Sequence, residues 1–157
     1  MLARLVKPAD FERVLGTRSR LTSPHFAVHH LLAGPTIGRA SRVRTIELST
    51  GLDTDSSVAV EDSTGIVPSP RIWLGLVVPK RHARRAVTRN LLKRQIRACV
   101  GERAGGLAEG LWVVRLRAPF DRERFVSAAS DALRRAARDE LERLLLQAAM
   151  AQPAASR

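Results

Sequence analysis

Several residue types are scarce in this chain, and each shortage removes a class of function. One cysteine, Cys99, leaves no partner for an internal disulfide and suits a reducing compartment. Tyrosine is absent, and with four phenylalanines and two tryptophans the chain has too few aromatic rings for base stacking to dominate its affinity for a nucleic acid. No apolar run approaches the roughly 20 residues of a membrane-spanning helix, and Met1–Pro8 is too short and too interrupted for a signal peptide. The expectation is a cytoplasmic protein with no membrane partner. No paired carboxylates, activated serine or Cys–His arrangement stands out, so no catalytic residue is expected in the protein.

The most telling absence is local. From Lys80 to Arg97 there is no acidic residue, yet eight cations fall there: Lys80, Arg81, Arg84, Arg85, Arg89, Lys93, Arg94 and Arg97. An ordinary exposed helix face mixes signs, because opposite charges four residues apart support it. A face of one sign must be neutralised from outside. The whole chain points the same way, with 27 Lys+Arg against 15 Asp+Glu and a net charge of +12, which implies a polyanion and first of all nucleic acid.

At about 100° per residue the segment from Thr88 onward separates into two faces. Leu91, Leu92, Ile96 and Cys99 lie on one side, with Thr88 and Gln95 between them. Arg89, Asn90, Lys93, Arg94 and Arg97 fill an arc of roughly 140° on the other. Arg89, Lys93 and Arg97 recur every four residues and form a row suited to successive phosphates. Arginine binds phosphate through two donors, lysine acts as a point charge, and Asn90 can donate to a sugar or base edge. Cys99, on the apolar side, reads as a small core residue.

Around this segment the pattern predicts one domain over residues 1–146. Pro8 opens a helix carrying Phe11, Val14 and Leu15, which Gly16 ends. Two short strands follow within 17–32, joined at Ser23-Pro24. Their period of two puts Phe26, Val28, His30 and Leu32 on one face and Ala27, His29 and Leu31 on the other, so the adjacent His29 and His30 cannot ligate one ion, and no metal site is expected. Ile72–Val78 reads as a strand covered on both faces, with Gly75 marking a close approach by another backbone or by RNA. Leu111–Leu116 is a second buried strand, parallel to the first through a helical crossover whose general hand is right. Pro119-Phe120-Asp121 is expected to start the last helix, with Asp121 as N-cap and a packing stripe through Phe125, Ala129, Leu133, Ala137, Leu141 and Leu144/Leu145. Residues of about 35–70 read as a loop insertion of reversed charge, bearing Glu47, Asp53, Asp55, Glu61 and Asp62, with Val43–Leu48 and Val58–Val60 as strand candidates. Residues 147–157 read as a disordered tail.

The run Lys80-Arg81, Arg84-Arg85-Ala86, Arg89-Asn90-x-x-Lys93-Arg94-x-x-Arg97, preceded by Leu74-Gly75-Leu76-Val77-Val78, resembles the signature of the bacterial ribonuclease P protein subunit. Pro8-Ala9-Asp10-Phe11-Glu12-Arg13-Val14 is similar to that family's first helix, His25-Phe26-Ala27-Val28-His29 to an early strand and Trp112-Val113-Val114-Arg115-Leu116-Arg117 to its last strand. The resemblance covers roughly residues 4–34 and 71–140. It implies an α+β fold in αβββαβα order, a four-stranded mixed sheet with three helices and a left-handed βαβ crossover, like the second domain of ribosomal protein S5. It also implies a subunit that binds a catalytic RNA and the 5′ leader of precursor tRNA, with no obligate protein partner. By the same resemblance the RNA itself is expected to remove the leader, using Mg²⁺ that it holds near Arg89 and Asn90. The resemblance assigns RNA binding to Lys80, Arg81, Arg84, Arg85, Arg89, Asn90, Lys93, Arg94 and Arg97, and a leader cleft to Phe11, Leu15, Phe26 and His29. Leu15 stands where the family often has an aromatic residue and His29 where it often has tyrosine. Charge alone would also permit a structural RNA-binding protein of the ribosome or a DNA-binding regulator using the 88–100 helix.

Overall fold

Two apolar segments, Ile72–Val77 (β4) and Gly110–Leu116 (β5), lie parallel at the centre of a mixed sheet, and the other elements are arranged by what these two must bury. The computed structural model describes residues 2–36, 72–127 and 130–151. In chain order the further elements are β1 (Leu2–Arg4), α1 (Pro8–Leu15), β2 (Leu21–Thr22), β3 (Phe26–Leu31), α2 (Ala86–Arg103) and α3 (Asp131–Met150), with a single 3₁₀ turn at Ala104–Gly106. β3 pairs antiparallel with β5, β2 antiparallel with β3, and β1 parallel with β4, giving the order β1-β4-β5-β3-β2.

The sheet therefore has five strands, where four were expected, although the α+β class, the mixed sheet and the three helices stand. The added strand is β1. Leu2, Ala3 and Arg4 are too few to display an alternation, and they become a strand because β4 offers them an open edge, extended by Leu5 N–H donating to Leu74 O at 2.9 Å.

Alternation divides the core into two layers. Phe26, Val28, Leu74, Trp112, Val114 and Leu116 face α2 and α3, where Leu92, Ile96, Cys99, Leu141 and Leu145 meet them. Leu111 and Val113 face the other way, against Val14 of α1 and Leu5. β5 is thus enclosed by strands on both sides and helices on both faces, and Leu111 through Val114 are at most 1% exposed. Its entry is fixed by Gly110 at φ +125°, where a Cβ would stand 2.4 Å from Leu31 O.

The last helix begins at Asp131, ten residues after the expected cap at Asp121. Asp121 Oδ1 accepts from Glu123 N–H at 2.9 Å and closes a turn, whereas Ser130 Oγ accepts from Leu133 N–H at 3.1 Å and caps the helix. Between them Phe120 and Phe125 pack edge to face, with ring centres 5.8 Å apart. The stripe Leu133, Ala137, Leu141, Leu144 and Leu145 is buried as expected; Ala129 lies outside the described residues. Ordered helix continues to Met150 with Ala148 fully buried, so the tail expected from 147 cannot start before the end of this helix.

Of the expected insertion at about 35–70, all from residue 37 onward, with its two strand candidates and its acidic cluster, lies outside the described residues. Its point of departure is described. Asp10, 1% exposed, accepts from Thr36 N–H at 3.0 Å and from the Thr36 hydroxyl, and Arg13 donates to the same carboxylate at 3.1 Å. Burial opposes ionisation of Asp10, but these donors outweigh it and hold the carboxyl below its ordinary pKa. The chain leaving β3 is thereby pinned against α1.

A second carboxylate ties α3 to the β2–β3 turn. Glu140 accepts from the Ser23 hydroxyl, from His25 N–H at 2.7 Å, and faces His25 Nδ1 at 2.7 Å. Burial again raises its pKa, and the donors more than reverse this, leaving it lowered. A lowered carboxyl contributes stability that is present above the unfolded-state pKa and lost as pH falls through the folded one. Glu140→Gln should therefore cost about 1–3 kcal/mol at neutral pH. Urea unfolding of both proteins should show the difference shrinking from about pH 5 downward.

Candidate nucleic-acid interface

α2 forms where the sequence supplies one apolar stripe and good helix formers, and Leu91, Leu92, Ile96, Cys99 and Val100 are its buried residues. The same periodicity turns the cations outward. Lys80, Arg81, Arg84, Arg85, Asn90, Arg94 and Arg97 are exposed; Arg89 and Lys93 are half-buried. Among the described residues none of these eight cations pairs with a carboxylate. The acid nearest in sequence, Glu102, sits in the last turn of α2 and is held by Arg138 at 2.7 Å, which also binds Glu142 at 2.8 Å. The first turn of α2 has neither an acidic residue nor a side-chain cap, so its leading N–H groups add to the positive end. Burial pushes the Cys99 thiol up to about 11, consistent with a core residue.

The row of three is not uniform. Arg89 turns back and donates to Ala83 O at 3.0 Å and Arg84 O at 2.7 Å, bracing the loop that carries Lys80 to Arg85. Lys93 and Arg97 instead line a cavity of about 290 Å³ at the β1–β4 edge, together with Leu5, Val6, Leu76 and Phe11. Phe11 belongs to the opposite face of the sheet, and two features let it reach this edge. β1 ends at Arg4 while β4 continues, and Gly75 has no side chain to obstruct the ring. A Cβ on Gly75 would stand 2.5 Å from Phe11 Cε1, so the close approach expected there is made by a ring, neither by backbone nor by RNA.

Phe11, Leu15 and His29 share the α1 side of the sheet, but Phe26 does not join them. Phe26 and His29 are three apart on one strand and so point to opposite faces; Phe26 is fully buried against the α2–α3 layer, beneath Phe120 at 5.9 Å. Trp73 and Arg115, which the sequence reading passed over, lie on the α1 side. Trp73 alternates with Gly75 and Val77, and Arg115 with Val113 and Leu111, which is the signal that would have found them. Phe11, Leu15, Trp73 and Val77 are half-buried around the closed centre of that layer.

His29 is 5% exposed, in register with Val113 and Gly75. Burial lowers its pKa; a backbone partner, Thr17 O, opposes this, and Arg115 adds to it, favouring the neutral ring. Thr17 O can only accept, at 3.2 Å from Nδ1, so Nδ1 carries the proton and Nε2 is left as an acceptor without a partner among the described residues. His30, on the other face, packs against Trp112 with the rings tilted by 32° and their centres 4.3 Å apart, and it spans Arg20 and Glu109 O, so the two histidines are separated as the pattern requires. Among the described residues no group of three or more His, Cys, Asp or Glu is placed to hold a metal ion, and no helix is long and apolar enough to cross a membrane.

If Arg89 braces the loop, Arg89→Ala should lower stability by about 1–3 kcal/mol through its two lost carbonyl contacts. Arg94→Ala, on an exposed side chain, should stay within about 0.5 kcal/mol. Chemical denaturation of the two variants separates these outcomes, and equal effects would remove the brace.

Comparison with known proteins agrees with this architecture. The ribonuclease P family profile matches residues 2–145. The ribonuclease P protein component of Burkholderia pseudomallei is 31% identical over 147 residues, covering 94% of this chain and 82% of the relative, and that of Bordetella parapertussis is 44% identical over 72 residues, covering 46% and 54%. The Staphylococcus aureus RNase P protein structure superposes with a TM-score of 0.55 at 20% identity, covering 92% of this chain and 94% of that one. The Thermotoga maritima RNase P protein gives 0.53 at 21% identity, covering 96% and 98%. With a profile spanning nearly the whole chain, a relative matched along most of its length and the same α+β fold, the chain belongs to the ribonuclease P protein family.

Proposed function

We propose that this subunit of ribonuclease P acts by laying the exposed arc of α2 and its leading loop along the catalytic RNA, while the α1 side of the sheet receives the 5′ leader of precursor tRNA. One observation carries the reading: the eight cations of the 80–97 segment have no carboxylate partner among the described residues, while Glu102, Asp131, Glu140 and Glu142 of α2 and α3 are taken up by Arg138, Arg134 and His25. Their neutralising partner is external and polyanionic. The β1–β4 edge cavity supports a continuous path, since it brings Phe11 from the leader side next to Lys93 and Arg97 from the RNA side.

On the leader side, Phe11 and Trp73 offer flat surfaces that any base can meet without being identified. His29 is buried beneath this surface and helps to shape it from below, and the half-buried Arg115 supplies a cation. Phe26 has no part in this surface. The cleavage chemistry is assigned to the RNA, with Mg²⁺ as its cofactor. A face of arginines and lysines offers no oxygen cage for such an ion, so Arg89 and Asn90 act near it by ordering RNA. The left-handed crossover between β4 and β5 and a cytoplasmic location belong to the same reading. A DNA-binding regulator fits less well, because a buried strand precedes α2 where a helix-turn-helix would place a packed helix.

The test mixes the protein with a bacterial ribonuclease P RNA at low Mg²⁺ and follows leader release. The wild type should stimulate cleavage, and an absence of stimulation would favour a ribosomal RNA-binding protein. If about six phosphates are neutralised, affinity for the RNA should fall about a thousandfold between 50 and 200 mM salt. The double variant Lys93→Ala/Arg97→Ala should shallow that salt slope by about two. Phe11→Ala should mainly reduce the preference for leader-bearing over mature tRNA. Variants that changed only thermal stability would show that the residues are core.

A further inference from the structure

A second cleft, of about 340 Å³, lies on the α2–α3 side of the sheet, between the loop entering α2 and the loop entering α3. Its two walls differ in chemistry. One is apolar and aromatic, made by Phe120, Phe125 and Val126; the two rings are half-buried and Val126 is 78% exposed, large for an aliphatic side chain. The other, on the loop entering α2, is cationic, with Arg84 and Arg85, and Arg122 adds a third cation from the same loop as the rings; all three are exposed and none is in an ion pair among the described residues. Among the described residues no carboxylate lines the cleft. The Arg124 guanidinium lies over the Phe125 ring, 5.5 Å from its centre.

We propose that this cleft seats one unpaired nucleotide of the RNA, its base against Phe125 and Val126 and its phosphate among Arg84, Arg85 and Arg122. A paired base hides its face within the stack, whereas an unpaired nucleotide presents a flat apolar surface and a phosphate side by side, matching the two walls. An acidic peptide would satisfy the arginines and leave the rings without a flat partner. The cleft size falls in the range of small-ligand sites. Arg84 and Arg85 make it continuous with the basic arc of α2, and it lies on the opposite side of the sheet from Trp73 and the α1 layer, so its occupant belongs to the RNA held by α2 and is distinct from the leader. This inference rests on the ribonuclease P reading above.

Two measurements on the full chain with ribonuclease P RNA test it. A photoreactive benzoylphenylalanine replacing the exposed Val126 should cross-link to one or a few unpaired nucleotides, mapped by primer extension. Phe125→Leu, which keeps apolar volume but removes the ring, and Arg122→Ala should together weaken RNA affinity about tenfold at fixed salt, measured at a temperature well below the melting of the variant, and Arg122→Ala alone should weaken it without changing the melting profile. Wild-type affinity in the double variant, cross-links confined to base-paired stems, or cross-links removed by polyglutamate while the RNA stays bound would each overturn the nucleotide seat, the last reassigning the cleft to an acidic peptide. In those cases the Lys93/Arg97 variant would still bind poorly and the basic arc would stand. A wild type that did not bind the RNA would overturn both readings.

Discussion

Everything in this fold follows from having to hold a helix that repels itself. Arg85, Arg89, Lys93 and Arg97 succeed one another at intervals of four, and each like-charged pair costs roughly 0.2–0.5 kcal/mol on an exposed helix. Against this, Leu92 and Ile96 are fully buried and Leu91 and Val100 nearly so, each contributing about 1.5–3 kcal/mol. Burial wins by a wide margin. The underside of α2 can therefore carry a face that is electrostatically unfavourable in the free protein and becomes favourable only against an anion. The acids are placed so as not to spoil it. Glu102 comes a full turn after Arg97 and is taken up by Arg138, which fastens the far end of α2 to α3 and leaves the near end bare.

The sheet gives that face a counterpart. Because β4 and β5 are covered on both sides, α1 and α2 are held on opposite faces, and two surfaces of different chemistry are presented by one scaffold. They are joined around the edge of β4 rather than across the core. The short β1 and the bare Cα of Gly75 create this passage, so a glycine that reads in sequence as a weak point in a strand is the condition for Phe11 to lie beside Lys93 and Arg97.

What could be read in the sequence was whatever repeats. The two faces of α2, the stripe of α3 from Leu133 and the alternation of β3 all extend over several turns or several residues, and each is found where its period placed it. Features depending on a single partner were not legible. β1 exists only because β4 has a free edge. The start of α3 differs from the expected one because Asp121 and Ser130 are both good caps: Asp121 closes a turn beside the packed rings of Phe120 and Phe125, and Ser130 caps the helix. Phe26 is a different kind of error. Its parity with Val28 and His30 places it on the α2–α3 face, whereas the family resemblance assigns it to the leader cleft on the other.

Arg89 shows why a family signature cannot by itself assign roles. In the sequence it heads a row of equal cations. In the structure its guanidinium is committed to two carbonyls of the preceding loop, while Lys93 and Arg97, one and two turns on, stand free at an open edge. A side chain so engaged fixes the positions from which Arg84 and Arg85 project, and thus governs phosphate contacts it need not make itself. The basic segment then resolves into three functions: a brace at Arg89, a row at Lys93 and Arg97, and a loop at Lys80–Arg85 whose geometry depends on the brace. Both carbonyls are met by one nitrogen of Arg89, Nη1, so the brace engages a single end of the guanidinium and ties two successive residues of the loop to one point.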